Sequence, residues 1–599
     1  MSRAISEKLF HLDTFVFLTT TANQKFWNPA EKTLFLGEWC KLHRDREIWS
    51  QMEYEVLPFN WEERQQVIQS SGYINKLYSK YLKVLSKRFN ELHQVDYDLR
   101  YWRIIIGPWL FYFLTGLYDR YLSIRSAIGL GTVTNTWLPE NPSFPHIPKD
   151  YDAFVNWNSN DDYNLYLYSW IIRELDGIPY ETKNETLHLP QVKYVPIPKG
   201  VKFFLKSSLY PLLQKIPERY KRIVLVSSYF QFWDLFRLQL SLRQIPILFS
   251  PPEVPTVAPD LTTRSQLKLI GGKNEFETLA EKLIALQLPT AYVESYKSTH
   301  QTALEYFPKK PKVILTSNSL FAEEGFKFWA AHHVSLGAKL AGVQHGGGYG
   351  TRKVDSVTYN EIRACDRYYT WGWKLNGSPK TRPLPAGKLI GLKKIKTESK
   401  GNLLVIGISN PRYAFQWNGG DTVGPHMGNY FNEQIRFFQN LESGIQTQFV
   451  FRLYPHDYDW DVTSRLLEIE PRFKTYTGKQ SMMSQLKQSR LCVSTNNSTT
   501  FLETLTINHP TVVFWNFEHC PLRKNVQPYF DELRKTGILH DTPESAASMI
   551  NKVFNNPAEW WNGPAVQKTI KTFCERFALS RPHPLRDWKK ELLALSKEK

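Results

Sequence analysis

The chain has 599 residues, of which 42% are hydrophobic and 14% aromatic, so it holds more apolar surface than one core usually buries and predicts two or more domains. Its five cysteines are scattered without a C-x-x-C pair, which excludes a disulfide framework and a cysteine zinc site and favours a reducing, cytoplasmic setting. A formal charge of +18 predicts an anionic partner, and the absence of a nucleic-acid-binding motif argues against nucleic acid.

The beginning of the chain, "MSRAISEKLFHLDTF", is charged and lacks the apolar core of a signal peptide. The longest uncharged apolar stretch runs from Ile104 to Tyr118 and is too short to cross a bilayer comfortably. We therefore expect a buried helix there and a cytoplasmic protein, with peripheral contact with the inner face of the plasma membrane as the alternative.

The first part of the chain alternates short apolar runs with helix-like segments, which is typical of parallel α/β units. Strands are predicted at 33–37, 54–58, 222–228, 245–249, 312–316 and 339–344. Long helices are predicted around 61–90 and 99–125, and a Pro- and aromatic-rich irregular insertion at about 137–200.

A basic segment rich in proline and glycine, at 376–400, precedes a second alternation and is typical of an interdomain connector. After it, strands are predicted at 402–409, 448–454, 474–477, 490–495 and 511–515, with helices around 429–441, 462–469, 482–489 and 500–508. The pattern predicts an α/β protein with two Rossmann-type doubly wound domains facing a cleft. The boundaries are an N-terminal acceptor-side domain at 1–385 with a helical insertion at about 61–130, a linker at 386–400, a donor domain at 401–565, and C-terminal helices that pack back at 566–599.

The first candidate motif, "VQHGGGYG", directly follows a predicted strand. Glycines at a strand's carboxyl end let the backbone approach a ligand, and an imidazole there can accept a proton from a hydroxyl nucleophile. His345 is therefore a candidate general base, and we expect Gln344, Gly346 and Gly347 to line the cleft. The alternative is a tight turn with an incidental histidine.

The second motif, "FRLYPHDYDW", ends another predicted strand. Arg452 and His456 are candidates for binding a donor phosphate. Alternatively, Pro455 ends the strand and an aspartate caps the next helix. The acidic spacing also resembles a calcium loop, but Val462 occupies the position that requires glycine, so no metal site is predicted.

The third motif, "CVSTNNSTTFLETL", runs from a strand into a helix start, where free N–H groups and the helix dipole favour an anion. The candidate donor-binding residues here are Asn497, Ser498, Thr499, Thr500 and Glu503. The alternative is a capping box between Thr500 and Glu503, which is compatible with phosphate binding.

A fourth candidate, Glu38, follows the predicted strand 33–37 and is the other candidate base. The chain contains no P-loop, G-x-G-x-x-G, G-x-S-x-G or H-E-x-x-H motif, which argues against P-loop ATPases, dinucleotide oxidoreductases, α/β-hydrolases and zinc proteases.

The order of these motifs resembles that of two-domain GT-B transferases of bacterial surface polysaccharides. "TLFLGEWC", "LRYWRIIIGPWL" and "YDRYLSI" resemble a family of surface-carbohydrate or O-antigen transferases over most of the chain. The His and Ser/Thr motifs are distantly similar to those of capsule transferases that use CMP-Kdo or CMP-sialic acid, and of CDP-glycerol glycerophosphotransferases. This chain has Pro-His at 455–456 where the sialyltransferases have His-Pro.

The resemblance implies a metal-independent glycosyltransferase that needs no cofactor and takes a sugar, such as Kdo or a nonulosonic acid, from a CMP-linked donor to a glycan or lipid-linked glycan acceptor. His456 and the helix start would hold the donor phosphate, and His345 would face the reaction centre. Two alternatives remain open at this stage: a CDP-alditol glycerophosphotransferase, and a basic protein that binds nucleic acid or membrane without catalysis.

Overall fold

The computed structural model describes residues 16–140, 146–189, 216–247, 249, 252–267, 269–392, 394, 400–419, 422–476, 480–518 and 521–598. Parts of the predicted irregular insertion (141–145 and 190–200) and of the predicted linker (393 and 395–399) lie outside these residues.

The described strands form three parallel sheets. In spatial order the first sheet contains Tyr54–Val56, Thr33–Phe35, Val16–Thr19, Val133–Pro139 and Glu181–Lys183. The second contains Thr381–Pro383, Arg367–Thr370, Lys339–Val343, Val313–Thr316 and Ile223–Val226. The third contains Thr475–Tyr476, Phe449–Arg452, Asn402–Ile406, Ser489–Ser494, Thr511–Phe514 and Leu539–His540.

The first and third sheets are doubly wound, because their strand order reverses at the earliest strand. The reversal lies between Val16–Thr19 and Val133–Pro139 in the first sheet, and between Asn402–Ile406 and Ser489–Ser494 in the third. Open sheets of this kind bind ligands at the carboxyl ends of their strands, near such a reversal. The second sheet runs in simple chain order without a reversal.

Helices connect the strands and cover the sheets. The α-helices of the described residues are Arg46–Trp49, Arg64–His93, Leu99–Ile105, Gly107–Leu130, Tyr151–Trp157, Asp161–Leu175, Phe232–Ser241, Leu261–Ser265, Glu275–Gln287, Tyr296–Tyr306, Ser319–Ala322, Glu324–Ser335, Ser356–Ala364, Met427–Gln439, Ser443–Gln446, Val462–Ile469, Met482–Gln488, Thr499–Thr506, Gln527–Lys535, Pro543–Val553, Pro557–Trp561, Pro564–Phe577 and Pro584–Leu595.

The prediction of an α/β protein built from Rossmann-like parallel sheets is confirmed. The structure adds a division that the sequence analysis did not make. The predicted strands at 33–37 and 54–58 belong to a five-stranded sheet that is separate from the sheet built by the strands near 223, 313 and 339. Its other three strands, Val16–Thr19, Val133–Pro139 and Glu181–Lys183, were not predicted.

Three local predictions differ from the structure. The predicted strand at 245–249 is absent from its described residues, where Pro246 removes a donor that a central strand needs. The predicted helix at 99–125 is two helices, because Pro108 begins a new one rather than continuing the first. The insertion predicted as irregular contains Tyr151–Trp157 and Asp161–Leu175, each started by an N-cap side chain, Asp150 or Asn160.

One large apolar core joins the first sheet, the long helices and one face of the second sheet. The opposite face of the second sheet packs against the last helix through Trp588, Leu592 and Leu595. Burial of this kind supplies most of the stabilising free energy of a fold. No described helix combines the length and the hydropathy that a bilayer crossing would require.

Candidate functional site

His345 lies just beyond the carboxyl end of the strand Lys339–Val343, and its side chain is 21% exposed. Its Nε2 is 3.1 Å from a carboxylate oxygen of Glu361, which the helix Ser356–Ala364 carries. The Glu361 carboxylate is itself only 4% exposed. A buried carboxylate on one ring nitrogen fixes the orientation of an imidazole and leaves the other nitrogen for proton transfer.

Two tyrosines complete the surroundings of this pair. The Tyr368 hydroxyl donates to the second Glu361 oxygen at 2.6 Å, and the Tyr349 hydroxyl lies 2.7 Å from His345 Nε2. Burial raises the pKa of both phenols well above the ordinary value, and the Glu361 charge adds to the effect. Both hydroxyls therefore remain protonated, and that of Tyr368 already donates to Glu361.

Gln344 positions the turn that carries His345. Its amide nitrogen donates to the Gly346 carbonyl at 2.7 Å, and its oxygen accepts from the Trp371 amide and the Trp373 indole. The side chain is buried, so every contact it makes lies within the protein. Its observed role is to hold the loop between the strand and the glycines.

We call each sheet, together with the segments that connect its strands, a lobe. The glycines after His345 allow the third-sheet lobe to approach closely. A Cβ atom at Gly347 would lie 2.3 Å from the backbone carbon and oxygen of Ser498. The Gly347 amide donates to the Thr499 hydroxyl at 2.9 Å. Gly348 has a positive φ of 78°, and a Cβ there would meet the side chain of Arg352. The missing side chains are therefore needed for contact between the lobes.

The helix Thr499–Thr506 begins at the carboxyl end of the strand Ser489–Ser494, as the sequence indicated. Ser498 is its N-cap residue and makes no side-chain capping hydrogen bond. Asn497 is buried, and its amide nitrogen donates to the Thr351 hydroxyl at 3.0 Å. Ser498 and Thr500 are both partly exposed at this helix start.

Glu503 forms an ion pair of 3.0 Å with Lys388, from the segment that precedes the third sheet. This pairing differs from the capping box considered in the sequence, because the helix begins one residue before Thr500 and the carboxylate points to a cation instead.

Arg452 ends the strand Phe449–Arg452 and donates to the Gln480 carbonyl at 3.1 Å and to the Gln485 side chain. His456 is exposed, and its ring lies about 6 Å from the rings of Tyr454 and Tyr458. Asp457 accepts from the amides of two following residues, Trp460 and Val462, so it stabilises the turn before the next helix.

The remaining acidic residues of this segment form ion pairs with cations of the first-sheet lobe. Asp459 pairs with Arg44 at 3.0 Å, and Glu468 pairs with Arg46 at 3.2 Å. These pairs occupy the carboxylates that a calcium loop would use, and the described residues contain no cluster of three or more metal-ligating side chains.

Glu38 belongs to the same boundary between the lobes. It lies in a short 3₁₀ helix after the first-sheet strand Thr33–Phe35 and pairs with Lys41 at 3.3 Å. Its charge also acts on Arg465 of the third-sheet lobe. Glu38 therefore interacts with Lys41 and Arg465, whereas His345 interacts with Glu361 and Tyr349, so the two candidate bases have different neighbours.

The structure thus brings together His345, the glycines and the start of the Thr499–Thr506 helix, and it places Glu38 elsewhere. Glu361 is the residue that the sequence analysis missed. It shares one face of its helix with Thr358, Ile362 and Cys365, and a carboxylate on an otherwise buried face is a signal for a paired, oriented group.

The family model of the LIC12162 family of transferases matches residues 16–592 of the chain. The chain belongs to this family. It is therefore a transferase, as the sequence predicted. None of the curated proteins matches it.

Among solved structures, the chain is similar to S. aureus MnaA bound to UDP, with 12% identity, a TM-score of 0.35, and coverage of 63% of this chain and 98% of that one. It is similar to Acinetobacter baumannii MurG, with 10% identity, a TM-score of 0.31, and coverage of 66% of this chain and 97% of that one. It is also similar to the pneumococcal O-GlcNAc transferase GtfA in complex with UDP and GlcNAc, with 13% identity and a TM-score of 0.30. This match covers 48% of this chain and 57% of GtfA.

Proposed function

We propose that this transferase is a glycosyltransferase of GT-B type, which moves a sugar from a nucleotide-activated donor to a glycan acceptor. The observation that carries the proposal is the pairing of His345 with the buried Glu361 carboxylate, 3.1 Å away, next to the start of the Thr499–Thr506 helix. A base from the second sheet and an anion-binding helix start from the third sheet then serve one reaction centre.

In this proposal, Glu361 holds the His345 proton on Nε2, and Nδ1 accepts the proton of the attacking acceptor hydroxyl. The attack forms the new glycosidic bond, and the bond from the sugar to the donor phosphate breaks. The partly exposed ring allows a hydroxyl to reach it. Glu361 acts as a positioning residue, because its own contacts are with His345 and Tyr368.

The leaving nucleotide phosphate would be stabilised at the start of the Thr499–Thr506 helix. The Ser498 hydroxyl is not used for capping, and Thr500 is partly exposed. Free helix N–H groups and hydroxyl donors favour the developing charge, a contribution of about 2 to 4 kcal/mol for each well-placed donor. We assign Arg452 and the exposed His456 to the same donor as secondary contacts.

We further propose a CMP-linked donor and a role in bacterial surface polysaccharide synthesis, on the resemblance of the His and Ser/Thr motifs. A metal-independent reaction fits this assignment, because helix-start and side-chain donors take the place of a cation on the phosphate. Peripheral contact with an anionic membrane is proposed on the charge of +18.

The experiment begins with thermal-shift titrations of CMP, CDP, UDP and GDP, since a ligand that binds only the folded state raises the midpoint according to its affinity. Turnover is then followed as nucleotide release from the corresponding sugar donor. We expect His345→Ala to lower kcat by about 10² to 10⁴. We expect Glu361→Gln to lower kcat by roughly a hundredfold with KM unchanged, and Glu361→Asp to restore part of it.

Glu47→Gln is the matched control for the Glu361 variant, because Glu47 is exposed and lies outside the site. His456→Ala tests the donor contact separately. Full activity in both histidine variants would remove the site assignment. Product analysis distinguishes glycosyl transfer from alditol-phosphate transfer, since in the second reaction the phosphate remains with the acceptor.

A further inference from the structure

A second concave site lies between the second-sheet and third-sheet lobes, on the far side of the glycine loop. Its volume is about 250 Å³. Gly350, at the end of the loop, is one wall, and the segment after the strand Arg367–Thr370 is another. The third wall comes from the segment after the strand Thr511–Phe514 and from the helix Pro564–Phe577.

Three cations line this pocket: Lys374, Arg523 and Arg576. Lys374 is exposed and forms no ion pair with any described residue. The Nε atom of Arg576 is buried and lacks a hydrogen-bond partner among the described atoms. A buried guanidinium nitrogen without an acceptor is costly, so the charge of Arg576 is not fully compensated within the described residues.

The nearby negative charge is small. Asp355 lies 3.9 Å from Arg523 and offsets part of its charge, and no carboxylate is among the residues that line the pocket. Arg523 also donates through Nε to the Arg352 carbonyl at 2.7 Å, which fixes its guanidinium across the boundary between the lobes. The charges therefore favour an anionic ligand that contacts both lobes.

The other lining groups suit a sugar. Tyr359 is 41% exposed, and the Arg523 guanidinium lies over its ring at 5.9 Å. Asn376 and Asn525 add amide donors and acceptors at the rim. An apolar ring face, amides and cations in one pocket match a ligand that carries hydroxyls and a negative charge.

Tyr359 and Glu361 are two positions apart on one helix, so they lie on nearly opposite faces of it. The pocket is thus separated from the His345 side of the loop. We propose that it binds the phosphate or carboxylate of an acidic sugar, as an acceptor subsite distinct from the donor phosphate site. The acceptor role rests on the proposed function, whereas the anion binding does not.

The test measures binding of two probes, glucose 1-phosphate and glucuronic acid, by calorimetric titration of the full chain. The test variant is Lys374→Gln with Arg576→Gln. The control is Lys524→Gln with Lys571→Gln, which removes the same charge at exposed positions outside the pocket. Lys524 is the neighbour of Arg523, and Lys571 lies on the same helix as Arg576. We expect at least one probe to bind the wild type. Its affinity for the test variant should be lower by about tenfold or more, and its affinity for the control should equal that for the wild type.

Lys374→Gln alone, at an exposed side chain, repeats the test if the double variant does not fold. The probe that responds tells whether phosphate or carboxylate is the preferred group. Three results would overturn the proposal: no binding of either probe to the wild type, equal binding to both double variants, or loss of CMP and CDP binding together with the probes. If nucleotides never bind but the probes behave as expected, the proposed function fails and the anion subsite stands.

Discussion

Gly347 shows how one missing side chain sets the geometry of the candidate site. The residue is buried, and its amide donates a hydrogen bond to the Thr499 hydroxyl. The closest atoms to a Cβ at this position belong to backbone rather than to a flexible side chain, so they cannot move aside easily. The sequence suggested that these glycines make room for a ligand, whereas the structure uses them to join two lobes.

Gly347→Ala should therefore separate the loop from the helix start. We expect the substitution to cost about 1 to 3 kcal/mol of stability, since it inserts a methyl group into a packed contact. Transfer activity should fall with it, because the contact aligns His345 with the helix. Thermal unfolding and nucleotide release are the measurements.

Gly72→Ala is the matched control, because Gly72 is helical and nothing lies within 4 Å of its would-be Cβ. Alanine is the better helix former, so this change should stabilise by about 0.5 to 1 kcal/mol. Equal midpoints for the two variants would contradict the packing argument.

At the scale of elements, polar side chains as well as apolar ones fix the position of the helix Gly107–Leu130. Asp119 is buried, accepts from the Trp61 indole at 2.6 Å, and lies 3.5 Å from the Arg120 guanidinium. Burial raises the pKa of Asp119 from 3.8 to about 6, although the Arg120 charge opposes the shift. The folded state therefore binds the Asp119 proton more tightly than the unfolded chain.

The sign of the effect on stability follows from this shift. The contribution of Asp119 is fully present below its ordinary pKa and is lost as the pH rises through about 6. We expect the stability difference between the wild type and Asp119→Asn to change by about 2 kcal/mol between pH 4 and pH 8, in the direction that favours the variant at high pH. Unfolding midpoints across this range are the measurement.

Asp96→Asn serves as the comparison, because Asp96 is exposed and the substitution changes the charge in the same way as Asp119→Asn. Its stability difference from the wild type should stay flat over the same range. A flat difference for Asp119→Asn as well would show that its carboxylate is not penalised by burial.

At the scale of the whole molecule, a loop of the third-sheet lobe is fixed inside the first-sheet lobe. Arg412 is 1% exposed, and its guanidinium makes two contacts with Asp161, at 2.7 and 3.2 Å. A few residues on, Trp417 stacks on Trp61 with centroids 3.8 Å apart. These contacts hold the first and third sheets together, so they oppose movement between those lobes.

Arg412→Ala should lower stability by about 3 to 5 kcal/mol, because it leaves the Asp161 carboxylate without its buried cation. Arg436→Ala provides the control, since its pair with Glu544 is exposed and such pairs contribute about 0 to 1 kcal/mol. Calorimetry should show a much lower midpoint for the first variant. Similar midpoints for both would mean that the loop does not join the lobes.

The sequence by itself determined many of the strands, although not the central Val16–Thr19 and Val133–Pro139 of the first sheet, and it determined the order of the motifs and their positions after strand ends. His345, Ser498 and Arg452 could be placed this way because hydrophobic periodicity and turn residues act over a few positions. For the same reason, the sequence pattern predicted both ends of the helix Thr499–Thr506 to within two residues.

Only the tertiary structure decided which of these residues meet. The separation of the first sheet, the pairing of Glu361 with His345 across sixteen positions, and the interaction of Glu38 with Arg465 depend on contacts between distant segments. Such contacts are set by how whole layers pack, and a carboxylate such as Glu361 looks the same in sequence whether it faces water or a buried partner.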